Sequence, residues 1–445
     1  MTARRVILSG WGRFPARQTQ LVAPRDEAAL AAALRAGPAI ARGLGRAYGD
    51  SALGTGQTVS MRHFDRMIAF DPATGQLVAE AGASLAEIIE AFLPRGWFPA
   101  VTPGTKFVTL GGAIAADVHG KNHHGAGSFA TVTDWIDLMG ADGHVIRCSR
   151  DENADLFHRT TGGMGLTGVI LRAAIRLRRV ESGWIRQRLI PVAGLDAALD
   201  CFEAQMAATY SVAWIDCLAG GAARGRSLVM LGEHACLQDL PAARRARPFD
   251  TPRRAARRLP FDLPGLALNR FSLRAFNAAY YAMGRARAGN SLIDWDRYFY
   301  PLDAIEGWNR LYGRAGFMQF QCALPLATSR AGLHALLRAI SGAGSGSFLA
   351  VLKRFGPQGG AVSFPQPGYT LALDFPVNAR SLALMPHLDR LTAAHGGRFY
   401  LAKDSRMTAK TLISTDPRMA DFARWRRARG LDAQFASAQS ERLGL

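Results

Sequence analysis

A chain of 445 residues is long for a single hydrophobic core, so two domains are expected. Its 49% apolar and 20% charged content excludes a disordered chain, no apolar run approaches the ~18–20 residues of a membrane span, and five scattered cysteines without a C-x-x-C argue against a disulfide framework or a zinc site. The net charge of +19 fits nucleic acid, an anionic membrane surface or acidic substrates as partners, and equally fits arginines spread over a solvated surface.

In chain order, the apolar run near the N-terminus is too short for a signal-peptide core and is followed at once by Trp11 and Arg13, so a cytoplasmic protein is expected. Val6–Leu8 is a strand candidate and Arg25 to Arg35 an Ala/Leu-rich helix. A second strand, Pro38–Arg42, runs into Gly43-Leu-Gly-Arg-Ala-Tyr-Gly-Asp50. This is not the Rossmann fingerprint, because the third glycine is displaced to position 49 and Ser51–Gly56 is turn-like rather than helical. A glycine loop after a strand still suits phosphate through its backbone N–H groups, with Arg42 and Arg46 adding charge. Two short strands, Arg66–Phe70 and Leu77–Glu80, precede a helix capped by Ser84 with Leu85, Ile88, Ile89 and Phe92 on its apolar face. Trp135–Met139 and His144–Arg147 flank Ala141-Asp-Gly143, a hairpin signal. The Gly-rich run Thr161–Gly168 lacks the Gly-Lys-Ser/Thr of a P-loop, and a strand from Val169 to Leu177 follows it.

The texture changes near residue 183, where a domain boundary is expected. Beyond it, strands such as Ser227–Leu231, Phe317–Cys322 and Tyr369–Phe375 alternate with helices over Leu195–Ala208, Ala331–Ile340 and Ala379–Ala394, which predicts an antiparallel sheet with helices packed on it. Within this part, Ala242–Leu268 carries seven arginines among prolines, Leu and Phe. Its composition reads as a mobile, solvated loop, and contact with anionic lipid headgroups is the functional alternative. No base-stacking aromatics or binding motif accompany it, so nucleic acid is not expected as a partner.

The densest chemistry lies in Thr102–His124. A Pro103-Gly104 turn leads through small residues and a Gly111-Gly112 pair to His119, Lys121, His123 and His124. Gly and Ala let backbone approach a ligand closely, and free N–H groups near such a turn suit anionic or carbonyl oxygens. The stretch therefore reads as the wall of a large, polar, partly anionic cofactor, with a buried segment packed through its glycines as the alternative. A metal site from His119, His123 and His124 fits on spacing but lacks a carboxylate partner, and none is expected. Lys403 sits between small and polar residues at a strand end, ahead of a helical tail.

Together, Gly10-Trp-Gly-Arg13, Ala41–Asp50, Pro103-Gly-Thr105, Gly111–Ala115, Asp117-Val-His-Gly-Lys-Asn-His-His124 and Gly162–Ile170 resemble flavoproteins of the vanillyl-alcohol oxidase type. With Tyr300–Asp303, Gly307–Arg310, Gln319–Gln321, Ser363–Pro365, Asp374–Pro376 and Ala402-Lys-Asp-Ser-Arg406 they resemble specifically the FAD-dependent decaprenylphosphoryl-β-D-ribose 2′-oxidase family, over nearly the whole chain in order. The resemblance implies an α+β fold with an FAD-binding domain over 1–183, an inserted antiparallel-sheet substrate domain over 184–396 and a return to the first domain over 397–445. It implies cofactor contacts from Ala41, Arg42, Gly43, Leu44, Gly45, Arg46, Ala47, Tyr48, Gly49, Asp50 and Ser51. Further contacts are implied for Gly104, Thr109, Leu110, Gly111, Gly112, Ala116, Asp117, Val118, His119, Ile170 and Tyr400. Many relatives attach the flavin through a His in the first glycine loop; Arg46 holds that slot here, so non-covalent FAD is expected.

The implied reaction oxidises the 2′-hydroxyl of a polyprenylphosphoryl-ribose to the 2′-keto sugar, the first half of an epimerisation that serves arabinan precursor synthesis in cell envelopes. Lys403 is the expected base, its pKa lowered on desolvation beside Lys353, Lys121 or arginines. His119 is the competing base or else a hydrogen-bonded orienter at the flavin. Gln319, Gln321, Lys353, Lys121 and Trp214 are the implied substrate contacts, the lysines suited to a phosphate and Trp214 with Phe355 forming apolar wall. Implied partners are an NAD(P)H-dependent ketoreductase for the product, a quinone or oxygen as electron acceptor, and an anionic membrane surface at whose inner face the protein works peripherally. The same chemistry on a soluble sugar, alditol or sugar lactone is the alternative, and a basic binding protein with a degenerate flavin site is the alternative of another class. The chain departs from the family pattern at Ala372, a cysteine in the best-known members, at Thr370 for an asparagine and at Phe320 for a tyrosine.

Overall fold

The structure, a computed structural model, describes residues 4–252, 254–264, 268–357 and 360–445. Three sheets carry the site. The first is four-stranded and mixed, in the order Arg4–Ser9, Ala16–Val22, Gln57–Ser60, Ala39–Arg42; the opening hairpin is antiparallel and the inner pairs are parallel. Asp26 caps the helix Glu27–Arg35 by accepting from the Ala29 N–H, and Leu30, Ala33 and Leu34 pack with Val22, Ala39 and Val59. Ala39–Arg42 delivers the glycine loop, and residues 51–56 are turns and bends rather than a helix, as expected.

The second sheet is antiparallel around the long strand Val169–Arg179, which pairs with Gln76–Glu80 on one side and Thr133–Met139 on the other. Met67–Asp71 and Val145–Ser149 form its edges, and Trp97–Pro99 pairs with the far end of the central strand. The expected hairpin is present, with Gly143 in the left-handed region at φ 84°. The helix Leu85–Phe92 begins with a Ser84–Glu87 capping box and buries Leu85, Ile88, Ile89 and Phe92.

The third sheet has eight antiparallel strands in the order Gly289–Asp294, Trp184–Val192, Ser227–His234, Tyr210–Ile215, Ala350–Phe355, Gly368–Pro376, Phe317–Pro325, Arg398–Phe399. Side chains alternate along these strands. One set, including Ala213, Val229, Leu231, Cys322, Leu352, Leu371 and Leu373, packs in a core with the helices Leu195–Ala204, Leu326–Ala343 and Ala379–Ala394. The other set, including Val212, Trp214, Leu228, Gln319, Gln321, Val351, Lys353, Thr370 and Ala372, faces a cavity. The α+β architecture read from the sequence is thus present. The helix expected over Leu195–Ala208 stops at Ala204, and the one expected over Ala331–Ile340 is the inner part of a longer helix.

Two elements depart from the sequence reading. The arginine-rich stretch 242–268 is tied to the body: Arg244 stacks 3.8 Å from the centroid of the Trp184 ring, Arg254 pairs with Asp296 at 3.6 Å, and Asp262 binds Arg13 at 2.7 Å and Arg310 at 3.2 Å. Arg253 and residues 265–267 lie outside the described residues. A 17-residue helix, Arg270–Ala286, follows where none was expected. Among the described residues no helix is long and apolar enough to cross a membrane.

The chain then returns. Arg398–Phe399 forms an edge strand on Phe317–Pro325, and short helices at Ala409–Thr415, Arg418–Arg427 and Ala438–Leu443 close the molecule. They meet the start of the chain through the Ala438 N–H donating to Leu53 O at 2.8 Å, bridges Ala39–Phe435 and Gly54–Ser437, and Arg442 paired with Asp50 at 2.7 Å and Asp404 at 2.9 Å.

Candidate active site

Residues from all three sheets line a cavity of ≈ 880 Å³. Of the first glycine loop, Ala41, Gly43 to Tyr48 and Ser51 face it, with Gly45 at φ 66°. Gly43 lies so near Thr109 that a Cβ would stand 2.1 Å from its Oγ1, which seats this loop against the helix Leu110–Ala115 that Thr109 caps. From the second stretch Gly104, Thr109, Gly111, Gly112, Ala116, Val118 and His119 face the cavity, and Ile170 and Tyr400 complete this wall. The Tyr400 hydroxyl donates to Ala116 O at 2.8 Å, joining the C-terminal return to the second stretch.

Five of the implied cofactor residues hold the walls instead of facing the cavity. The Arg42 guanidinium donates to Ser9 O at 2.8 Å and Ala52 O at 3.3 Å. Asp50 is committed to Arg442, and a Cβ on Gly49 would meet Asp404 O at 2.0 Å. Leu110 is wholly buried in the core. The Asp117 carboxylate accepts from Ser128 Oγ and the Ala130 N–H, both at 2.8 Å, and from Ser363 Oγ. Arg46 does face the cavity, with its guanidinium 4.0 Å from the centroid of the Trp11 ring.

The substrate-side residues come together. Lys403 follows the edge strand in a turn in which its N–H donates to Tyr400 O at 3.0 Å, and its ammonium lies 3.6 Å from the centroid of the Tyr48 ring. Burial lowers its pKa; the Asp374 carboxylate opposes that shift and Lys353 adds to it. Asp374 is wholly buried, accepts from Gln319 Nε2 on one oxygen and has no hydrogen-bond partner among the described residues on the other. Burial raises its pKa against the pull of Gln319 and Lys403. Gln319 and Asp374 are direct partners in the register of adjacent strands, so sheet pairing itself makes this contact.

Lys121 and Lys353 also line the cavity; burial brings Lys121 down to about 7 and Lys353 to about 8. The Lys121 ammonium donates to Tyr298 O and lies 4.2 Å from the centroid of that residue's ring. Lys121, Lys353 and Lys403 thus share one cavity, each with its pKa lowered by burial and those of Lys121 and Lys403 lowered further by Lys353. Gln321 Nε2 donates to His119 Nε2 at 3.1 Å and to Thr370 Oγ1 at 3.2 Å, which leaves the His119 proton on Nδ1. Nδ1 is buried with no partner among the described residues. Burial, and after it Lys353, His123 and Lys403, hold the imidazole well below its ordinary pKa, so it is neutral. Trp214 lies on the wall, fixed by Nε1 donating to Phe348 O at 3.0 Å. Phe355 does not: it lies behind His119, ring centroids 4.8 Å apart. His119 and His123 have centroids 6.4 Å apart, and among the described residues no group of three or more His, Cys, Asp or Glu is placed to hold a metal.

Two features escaped the sequence reading. Asp374 received no role, although a lone carboxylate inside an apolar strand was a visible signal. Along the adjacent strands the cavity continues into a mostly apolar arm, lined by Leu189, Val212, Leu228 and Met230 with Tyr280 and Met283 of the helix Arg270–Ala286, and also by Gln187, Ser291, Arg287 and Arg297. Alternation along Val212–Trp214 and Leu228–Met230 carried that signal, but it becomes a wall only once the strands pair.

Residues 19–149 match the FAD binding domain family. The residues present fit such a group: a cavity of ≈ 880 Å³, Gly104 with no contact within 4 Å of where a Cβ would stand, and the Nδ1 of His119, unpartnered among the described residues. The class is therefore an FAD-dependent oxidoreductase acting on CH–OH groups. The chain is 37% identical to decaprenylphosphoryl-β-D-ribose oxidase of Mycolicibacterium smegmatis over 98% of its own length and 97% of that protein. It is 36% identical to an uncharacterized protein in the mprA 5′ region of Streptomyces coelicolor, over 81% of this chain and all of that one (100%). A shorter likeness, 32% over 23% of this chain and 20% of the relative, reaches the human Δ(24)-sterol reductase. The chain belongs to the decaprenylphosphoryl-β-D-ribose oxidase family.

Proposed function

We propose that this protein oxidises the 2′-hydroxyl of a polyprenylphosphoryl-ribose to the 2′-keto sugar, the first half of an epimerisation to the arabinose lipid, with FAD held non-covalently. The observation that carries this reading is one cavity with three lysines and a mostly apolar arm, matched to a sugar phosphate and the lipid attached to it. Such a cavity favours a lipid-linked sugar over a soluble sugar, alditol or lactone.

When bound, the flavin supplies the hydride acceptor for the carbinol carbon. Lys403 takes the hydroxyl proton as its neutral amine, the form that burial favours and Asp374 restrains. His119, held by Gln321 and neutral, orients the reacting group rather than taking its proton. Lys121 and Lys353 hold the phosphate, and Trp214 borders the start of the lipid arm. The keto product passes to an NAD(P)H-dependent ketoreductase, a quinone or oxygen takes the electrons, and the lipid tail stays in an anionic membrane at whose inner face the protein works. In this reading residues 1–183 and 397–445 bind the cofactor and 184–396 the substrate, with the strand Arg398–Phe399 shared by pairing onto the latter's sheet.

Anaerobic addition of a short-chain prenylphosphoryl-ribose is expected to bleach the flavin, while free ribose and an alditol leave it oxidised. Bleaching by the controls alone would overturn the lipid-sugar reading. Acid precipitation is expected to release the yellow colour into the supernatant, because Arg46 offers no nucleophile for a flavin bond; colour retained in the pellet would refute non-covalent binding.

A further inference from the structure

We propose that the helix Arg270–Ala286 is the surface by which this protein lies on an anionic lipid bilayer. The helix is firmly seated: Leu273 joins the core, Asn277 Nδ2 donates to Asp216 Oδ1 at 3.0 Å, the Tyr281 hydroxyl donates to Val192 O at 3.1 Å, and Gly284 packs on Leu228. Its outer face is thereby fixed toward solvent. That face presents Ala275, Ala278, Ala279, Ala282 and Ala286, with Phe271 81% exposed at its first turn. Phe276 and Met283 are exposed as well, and Met283 also lines the cavity.

Charge falls at the margins. Arg270, Arg274 and Arg285 flank the face, and residues 263–293 contain no Asp or Glu. An uncharged outer face rimmed by arginines is the pattern of a helix lying in the headgroup plane, with anionic headgroups meeting the rim. It is not long and apolar enough to cross a bilayer. The choice of a bilayer over a protein partner rests on the cavity, and so partly on the lipid-linked substrate proposed above. Tyr280, Met283 and Gly284 of this same helix and Arg287 just after it line the cavity, so docking here sets the mostly apolar arm against the layer in which a prenyl chain resides. The arginine-rich stretch before the helix is a weaker candidate, because Arg244, Arg245 and Arg254 are occupied by Trp184, Leu240 O and Asp296.

The test is flotation of the FAD-loaded full chain with phosphatidylcholine–phosphatidylglycerol vesicles and with phosphatidylcholine vesicles alone. Wild type is expected to float with the anionic vesicles. The variant Phe271→Glu/Ala275→Glu/Ala282→Glu is expected to bind them at least about tenfold more weakly, and Arg274→Glu/Arg285→Glu to lose the preference for phosphatidylglycerol. None of these positions faces the cavity, so flavin reduction by a short-chain prenylphosphoryl-ribose is expected to be unchanged and reports that the variants are folded. Wild type that does not float, or a triple variant that floats equally well, overturns the proposal. So does a wild type that self-associates in light scattering while the triple variant is monomeric, since a second copy then covers the face. Helix-dependent flotation by a protein that fails to oxidise the lipid sugar upholds the docking surface and rejects the substrate.

Discussion

Lys403 and Asp374 are both pushed toward their neutral forms by loss of water, and each pulls the other back toward charge. If Lys403 takes the proton, activity rises with pH as its amine deprotonates. Asp374→Asn keeps a partner for Gln319 and removes the carboxylate that favours the ammonium, so the acidic limb of the kcat/KM profile is expected to move to lower pH. A limb that stays in place would remove Lys403 as the base. The buried lysines also set stability. Lys121 and Lys353, at about 7 and about 8, bind a proton less readily in the folded chain than in the unfolded one. Between those values and the ordinary lysine pKa of about 10.4 the unfolded state carries more protons, so stability rises with pH in that window. Asp374 has the opposite slope: its raised pKa adds stability at low pH that is lost above the ordinary carboxylate range. The melting temperature of the FAD-free protein is expected to climb from neutral pH to about pH 8.5 in a thermal-shift series, above which the buried thiols of Cys148, Cys217 and Cys322, pushed up to about 11, 12 and 12, give the opposite slope. A flat or falling series would mean that these lysines keep their charge in the fold. At this scale Lys403, His119 and Gln321 were legible from residue type and family pattern, whereas the role of Asp374 depends on lying opposite Gln319 in a pair of strands far apart in sequence.

At the scale of elements, the glycines divide into those that leave room and those that permit contact. Gly104→Val is expected to fold normally and to lose FAD, because its side chain enters the cavity without touching protein. Gly49→Ala should retain less stability, by roughly 1–3 kcal/mol, since its Cβ meets the Asp404 carbonyl at 2.0 Å and one backbone must shift. Urea unfolding with flavin absorbance separates the two, and a destabilised Gly104→Val would contradict the open space assigned to it. Regular elements such as the capped helix Leu85–Phe92 were legible because local capping and periodicity agree. The helix Arg270–Ala286 was not, because its buried stripe includes Asn277 and Gly284 while Phe271 and Phe276 stay exposed. The strand Trp184–Val192 hides similarly, since its Arg and Gln residues interrupt the apolar alternation.

For the whole molecule, the closing contact is Arg442 between Asp50 and Asp404, both almost wholly buried. Arg442→Met leaves two buried carboxylates without their cation, which is expected to cost on the order of 3–5 kcal/mol and to weaken FAD binding by loosening the loop before Ser51. Equal urea midpoints for variant and wild type would show that the contact is dispensable. The sequence by itself determined the class: two glycine stretches, a histidine–lysine cluster and a C-terminal lysine are local patterns that carry the cofactor and the chemistry with them. Only the tertiary structure decided which groups meet. Asp374 beside Gln319, a mostly apolar arm beside an unanticipated helix and the junction of the two chain ends all depend on strand register and on contacts between residues distant in sequence, which no local pattern encodes.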